Sequence, residues 1–295
     1  MKNYTISGIL IYLSISLNAF AQLPDTDIFL VGIKQEKGKL VFGSPENITN
    51  RKGYDNQPCF SKDGKSVFFV SVIDSSQSDI YSVNTATKKI SQITTTKESE
   101  YSPGYSPDGL GLSVVRVDED SGQRLYTLPF ASLESANNII GTDSIGYYNW
   151  LNDSLVAMFI LGPSNTLQVL NTLTGTRTLI ASDIGRCLKL SPDKKSLTFV
   201  IKSNEKEWFI YSMDCRTFKL DRIIQTIPGN EDFAFLPDNT LLLGSEGKLF
   251  GWKKGVYETW TELADLTSSV HSFYRITVNA NGTQLALVAF TGQKP

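Results

Sequence analysis

Short apolar runs separated by polar turns recur along this chain, and no pattern predicts a helix of three turns. A clear example is residues 101–109, YSPGYSPDG, followed by the apolar run 112–117. In the turn Ser106-Pro107-Asp108-Gly109 the proline presets φ, the aspartate bonds its own backbone, and the glycine accepts a left-handed conformation. The unit therefore predicts a β-hairpin with a bulged turn.

The turn returns at a steady interval. Taking its Asp or Asn as a turn marker, the six positions are Asp63, Asp108, Asp153, Asp193, Asp238 and Asn281, with intervals of 45, 45, 40, 45 and 43 residues. A period in the low forties with four short strands per unit is typical of β-propeller blades.

The two ends of the chain predict how the ring closes. The apolar runs 28–33 and 40–42 precede the first full unit, and only the runs 274–278 and 284–289 flank the sixth turn. Pairing these four strands completes one blade and removes exposed sheet edges. We therefore expect an all-β, six-bladed propeller over residues 22–295, closed by N- and C-terminal strands that share one blade.

Residues 1–21 are predicted to be a secretory signal. Lys2 precedes an apolar core at 9–17, and Ala19 and Ala21 supply the small residues of a cleavage site. A buried first strand or a membrane anchor is the alternative, but the apolar run is short for a bilayer span. The prediction is a periplasmic or secreted protein that is not inserted in a membrane after cleavage.

The charge narrows the class of partner. The net charge of −2 becomes about −3 without Lys2, and no basic cluster is present, which argues against nucleic acid or an anionic membrane as partner. The three cysteines, Cys59, Cys187 and Cys215, are too far apart in a six-bladed ring for disulfide geometry, so buried unpaired thiols are expected. A monomer is expected.

Blades one and two resemble a known repeat. Residues 57–69, QPCFSKDGKSVFF, with the later 78–81, SDIY, and 92–94, QIT, are similar to the WD40-like repeat of the TolB propeller family, and 103–109 with 125–126 match nearly as well. The resemblance is partial in blade four and weak in the others. It implies a periplasmic six-bladed propeller that binds protein partners; TolB itself also carries an α/β domain before its propeller.

The candidate binding site is the channel mouth where the chain enters each inner strand, six to eight residues before each turn marker. A mixture of carboxylates, tyrosines and arginines there suits a peptide segment, a sugar or a cation, since arginine can bind a carboxylate bidentately. A water-filled pore with mutually paired polar groups is the alternative. The candidate ligand-binding residues are Asp55, Gln57, Glu100, Tyr101, Tyr147, Arg186, Glu231, Asp232, Tyr274 and Arg275.

Enzyme classes have less support. His271 is the only histidine, which excludes a His-rich zinc site and leaves any Ser-His-Asp triad dependent on it. The acidic run 118–120 departs from the EF-hand pattern. We therefore expect a non-catalytic module without a cofactor that binds an envelope or extracellular protein, a small ligand or a glycan. The alternative is a calcium-dependent hydrolase or lyase acting on a sugar or lactone, with Asp55, Glu100 and Asp232 as ligands.

Overall fold

The computed structural model describes residues 23–73 and 77–291; the predicted secretory signal lies outside them. The strands are β1 (Thr26–Glu36), β2 (Lys39–Phe42), β3 (Glu46–Asn47), β4 (Tyr54–Phe60), β5 (Ser66–Val72), β6 (Asp79–Asn84), β7 (Ile90–Gln92), β8 (Ser99–Tyr105), β9 (Gly111–Val117), β10 (Gln123–Pro129), β11 (Asn137–Asn138), β12 (Ile145–Trp150), β13 (Leu155–Ile160), β14 (Thr166–Asn171), β15 (Arg177–Ser182), β16 (Lys189–Leu190), β17 (Ser196–Lys202), β18 (Trp208–Asp214), β19 (Leu220–Gln225), β20 (Phe233–Phe235), β21 (Leu241–Ser245), β22 (Lys248–Trp252), β23 (Thr261–Asp265), β24 (Phe273–Val278) and β25 (Gln284–Phe290).

These strands form the six-bladed propeller that the repeat period predicts. Blades one to five are β4 to β7, β8 to β11, β12 to β15, β16 to β19 and β20 to β23, each a meander of four antiparallel strands. Within the described ranges, no helix is long and apolar enough to cross a membrane.

Blade six closes the ring as expected. β1 pairs antiparallel with β25, from Thr26 opposite Phe290 to Gly32 opposite Gln284. β24 completes the inner side, and β2 and β3 pair with successive parts of β1 on the outer side. The first and last described strands therefore hold the ring together by main-chain hydrogen bonds.

The marker turns have the predicted chemistry. In blade one, Ser61 Oγ donates to Asp63 Oδ1 at 2.7 Å, and the backbone N–H of Lys65 donates to the same oxygen. Gly64 takes the left-handed conformation with φ 70°. In blade four Lys194 occupies that position with φ 57°, so the serine and aspartate bonds hold the turn without glycine.

One strand was placed wrongly from the sequence. The sequence at 257–261 predicts the outer strand of blade five, but that strand is β23, Thr261–Asp265. The Lys253 carbonyl accepts hydrogen bonds from the N–H groups of Val256 and Tyr257. These bonds form a turn, so the strand begins later than predicted.

The core lies between neighbouring blades. Fully buried side chains of the second strands include Phe69 in blade one and Phe199 in blade four. One cluster joins Leu242 of blade five to Leu285 of blade six. This packing fixes the inner strands, whose alternate side chains face the propeller axis.

Candidate functional site

Two rings of side chains line the axis because successive side chains of a strand alternate between its faces. The deep ring lies six residues before each turn marker and the outer ring four residues before it. The deep ring is Gln57, Ser102, Tyr147, Cys187, Asp232 and Arg275. The outer ring is Cys59, Gly104, Asn149, Lys189 and Thr277; its position in blade five is Ala234, which packs in the core instead.

Both rings line one cavity of about 490 Å³. Its lining also includes residues in or next to the marker turns, among them Lys62, Pro107, Asp153 and Lys194. The cavity therefore extends from the deep ring towards the face of the propeller that carries these turns.

β-Bulges set the direction of the deep-ring side chains. The pairing register shifts near the start of the inner strands β4, β8, β12 and β24, and a bulge re-aims the side chains beside it. Gln57 and Ser102 have φ of 55° and 53° at equivalent positions. Gln57 Oε1 accepts from the Ser102 backbone N–H at 2.6 Å, which ties blade one to blade two.

Arg275 bridges the deep ring. It lies in blade six, and its Nη2 donates to the hydroxyl of Tyr147 in blade three at 2.6 Å. Its guanidinium carbon is 5.0 Å from the centre of the Tyr147 ring. Blades three and six face one another in a six-bladed ring, so this contact crosses the axis at the deep ring.

Arg186 is held by two acidic residues from blade five. Its Nη1 lies 3.2 Å from Glu231 Oε1 and its Nη2 lies 2.5 Å from Asp232 Oδ2. Lys202 Nζ is 2.9 Å from the other Glu231 oxygen. These two carboxylates are thus balanced by two cations, which leaves Arg275 as an additional positive charge.

Hydrogen-bonding capacity is left over at the deep ring. Of the buried side-chain nitrogens and oxygens that the structure describes, Arg186 Nε and Arg275 Nε are two of the three without a partner. A buried polar group in that state costs about 1–3 kcal/mol. The Tyr274 hydroxyl accepts from Asn56 Nδ2, and burial raises the pKa of Tyr274, so its O–H stays available to donate.

The thiols in the cavity lining are poor nucleophiles. Burial raises the pKa of Cys59 and raises that of Cys187 to about 12, and a protonated thiol reacts slowly. Cys59, Cys187 and Cys215 are all free. Cys59 is half-buried rather than buried as expected.

Five predicted site residues lie outside the cavity lining, and three of these five lie inside the blades, away from Arg186. Asp55 is buried and bound by Arg51, with Nε to Oδ2 at 2.9 Å. Glu100 is fully buried and accepts from the hydroxyls of Thr94 and Thr96, and burial raises its pKa to about 7. Tyr101 packs in the hydrophobic clusters on both sides of blade two. These three side chains lie inside the blades and not at the channel mouth, where they were expected.

The other predicted residues do come together. Gln57, Tyr147, Arg186, Asp232 and Arg275 line the cavity, and Glu231 and Tyr274 lie against Arg186. The residues predicted from the sequence do not include the outer ring, to which Lys189 belongs, or Lys62 and Lys194 in the marker turns. The sequence contained a signal for the outer ring. Side chains alternate along a strand, so the residues two positions after the deep ring also face the axis.

The calcium ligand set is not assembled. Asp55, Glu100 and Asp232 each bond to partners of their own. Across residues 23–73 and 77–291, no group of three or more His, Cys, Asp or Glu side chains could hold a metal ion. The acidic loop at Asp118 and Asp120 is bound by Arg124. His271 is exposed and does not line the cavity.

Comparison with known proteins gives the fold. No protein-family model matches the sequence, and no curated protein sequence matches it. Among solved structures, a protein assigned as TolB from Agrobacterium tumefaciens superposes with a TM-score of 0.66 at 14% identity, covering 92% of this chain and 99% of that one. TolB from Acinetobacter baumannii gives 0.59 at 14% identity, covering 90% of this chain.

This chain spans 64% of the length of the A. baumannii TolB chain. A puromycin-hydrolysing peptidase from Mycobacterium tuberculosis gives a TM-score of 0.55 at 13% identity, covering 86% of this chain and 46% of that one. The chain has a TolB-like β-propeller fold. Because a structure named for a peptidase shares it, the fold does not separate binding from catalysis.

Proposed function

We propose that this chain is an exported, periplasmic or secreted, non-catalytic binding module. Its cavity on the propeller axis would take up a segment of an envelope or extracellular protein. The observation that carries the proposal is the cavity itself, about 490 Å³ and lined by both side-chain rings. That volume lies within the usual range for ligand pockets and holds a few side chains.

The chemistry of the lining supports binding rather than catalysis. Two of its thiols, Cys59 and Cys187, have raised pKa values, and Asp232 is held by Arg186. A nucleophile or general base needs an activated group within hydrogen-bond reach of its target. Under the proposal, the groups in this cavity hold a ligand by charge and hydrogen bonds.

A cavity-filling variant tests the proposal. Thr277 lies on β24 in the outer ring, and its side chain makes no hydrogen bond to the described residues. Thr277→Trp should fill the cavity without breaking a hydrogen bond. Thr178→Trp, on the exposed outer strand β15, is the matched control. We expect Thr277→Trp to abolish capture of a partner from an envelope extract and Thr178→Trp to retain it. Equal capture by both would contradict the proposal.

A further inference from the structure

We propose that the group recognised at the deep ring is a carboxylate, received chiefly by Arg275 with Arg186 beside it. This inference rests on the proposed function, since it specifies what the axial cavity binds. It follows from three features: the kind of hydrogen-bonding capacity left at the deep ring, the charge of the lining, and the unequal pairing of the two arginines.

Next to the deep ring, the buried side-chain atoms of the described residues that lack a hydrogen-bond partner are donors. Arg186 Nε and Arg275 Nε have no partner among the described residues. The hydroxyls of Tyr147 and Tyr274 each accept one hydrogen bond, from Arg275 and Asn56 respectively, and each retains an O–H to donate. A ligand that matches four donors must be rich in acceptors, and an ionised carboxylate is acceptor-only.

These donors belong to one cluster. The Arg186 guanidinium carbon lies 5.8 Å from the Tyr274 ring centre, and the Arg275 carbon lies 5.0 Å from that of Tyr147. Arg186, Tyr147 and Arg275 line the same cavity, so one small anionic group there would face these three side chains, with Tyr274 packed against Arg186.

The charge of the lining points the same way. The whole sequence has a net charge of −2, but the cavity lining has five basic and two acidic side chains, an excess of three positive charges. The basic residues are Lys62, Arg186, Lys189, Lys194 and Arg275, and the acidic ones are Asp153 and Asp232. A positive cavity in an acidic protein attracts an anion selectively.

Arg275 is the better placed of the two arginines. Arg186 already binds two carboxylates through its Nη atoms. Arg275 has no ion pair with any described carboxylate, and its one hydrogen-bond partner is the neutral phenol of Tyr147. Exchanging that phenol for a carboxylate would give a charge-assisted, bidentate pair.

Peptide titration tests the inference. The probe is a blocked hexapeptide of alternating glycine and glutamate, followed by calorimetry, and its glutamine counterpart is the uncharged control. We expect the glutamate peptide to bind at least tenfold more tightly. Arg275→Gln should abolish that preference, and Arg275→Lys should restore it only in part, because lysine cannot form the bidentate pair. Arg177→Gln, on exposed β15, should leave it unchanged.

The outcomes separate this inference from the proposed function. Equal affinity for both peptides, or an unchanged preference in Arg275→Gln with native thermal unfolding, would overturn the carboxylate assignment. If the carboxylate assignment fails but Thr277→Trp still blocks capture of the partner, the cavity remains supported as a binding site. A uronic-acid trisaccharide serves as a second probe: if it binds in an Arg275-dependent way and the glutamate peptide does not, the carboxylate comes from a glycan. Binding of neither would refute the inference.

Discussion

Arg275 Nη2 lies 2.6 Å from Tyr147 Oη, and this contact joins residues 128 positions apart across the propeller axis. Blade six is completed by the N-terminal strand, so the arginine reaches its place only when the ring closes. The contact thus links the closure of the fold to the shape of the candidate binding site.

The contact should be measurable as a coupling between opposite blades. A hydrogen bond to a charged group contributes about 1.5–3 kcal/mol. We expect Tyr147→Phe and Arg275→Met each to lower the free energy of unfolding, and the double variant to lose about 1–2 kcal/mol less than the sum. Urea unfolding of the four proteins gives the cycle. Additivity within about 0.5 kcal/mol would mean that the two side chains do not interact.

Glu100 should make stability depend on pH. Burial raises its pKa from about 4.5 to about 7, so the folded protein binds more protons than the unfolded chain in that window. Stability from this group is therefore present below about pH 4.5 and is lost as pH rises to about 7. Glu100→Gln should match wild type near pH 4.5 and exceed it by up to roughly 3 kcal/mol at pH 8. Wild-type stability at or above that of the variant at pH 8 would contradict this expectation.

The amide variant of Asp55, which lies at the same position of the neighbouring blade, should lower stability, whereas the amide variant of Glu100 should raise it. Both residues lie eight positions before a turn marker, but Asp55 is paired with Arg51 and Glu100 with threonine hydroxyls. Removing one partner of a buried ion pair costs about 3–5 kcal/mol. Asp55→Asn should therefore be destabilised by that amount at pH 8 in urea unfolding. A loss below about 1 kcal/mol would show that the pair does not stabilise the fold.

These two residues also show what the sequence could predict. Each marker turn is set by hydrogen bonds within four residues, so it can be recognised in the sequence. The repeat period, the blade count and the ring closure were predicted from these turns. The distance of six to eight residues before each turn marker placed Tyr147, Asp232 and Arg275 at the channel. Asp55 and Glu100 differ in their partners, because Arg51 precedes the first by four positions and Thr96 precedes the second by four. The contact of Arg275 with Tyr147 depended on ring geometry that no local pattern contains.

Calcium should leave the protein unchanged. The carboxylates expected to bind it are engaged in separate places, Asp55 with Arg51 and Asp232 with Arg186. Thermal unfolding with and without calcium should give the same midpoint. A calcium concentration of about 1 mM is well above the dissociation constants of typical calcium sensors. No ion should be retained after dialysis. A saturable rise in the midpoint would reveal a site in the folded state and favour the metal-dependent alternative.

Closure should dominate stability. Leu287 lies on β25 opposite Phe29 of β1 and is fully buried. Leu287→Ala should cost about 2–5 kcal/mol because it leaves a cavity beside the closing strands. Leu173→Ala, at an exposed position, is the matched control and should change the free energy of unfolding by less than about 0.5 kcal/mol. Equal effects would mean that the closing blade is not part of the cooperative core.

The most direct measurement is site-specific photocrosslinking in the native envelope, with benzoylphenylalanine placed at Thr277 in the cavity or at Thr178 on the outer strand. The account predicts a discrete partner crosslink from position 277 that the glutamate peptide competes away, with none from 178. Crosslinks from 178 alone, or from 277 without competition by the peptide, would contradict a carboxylate-binding site on the propeller axis.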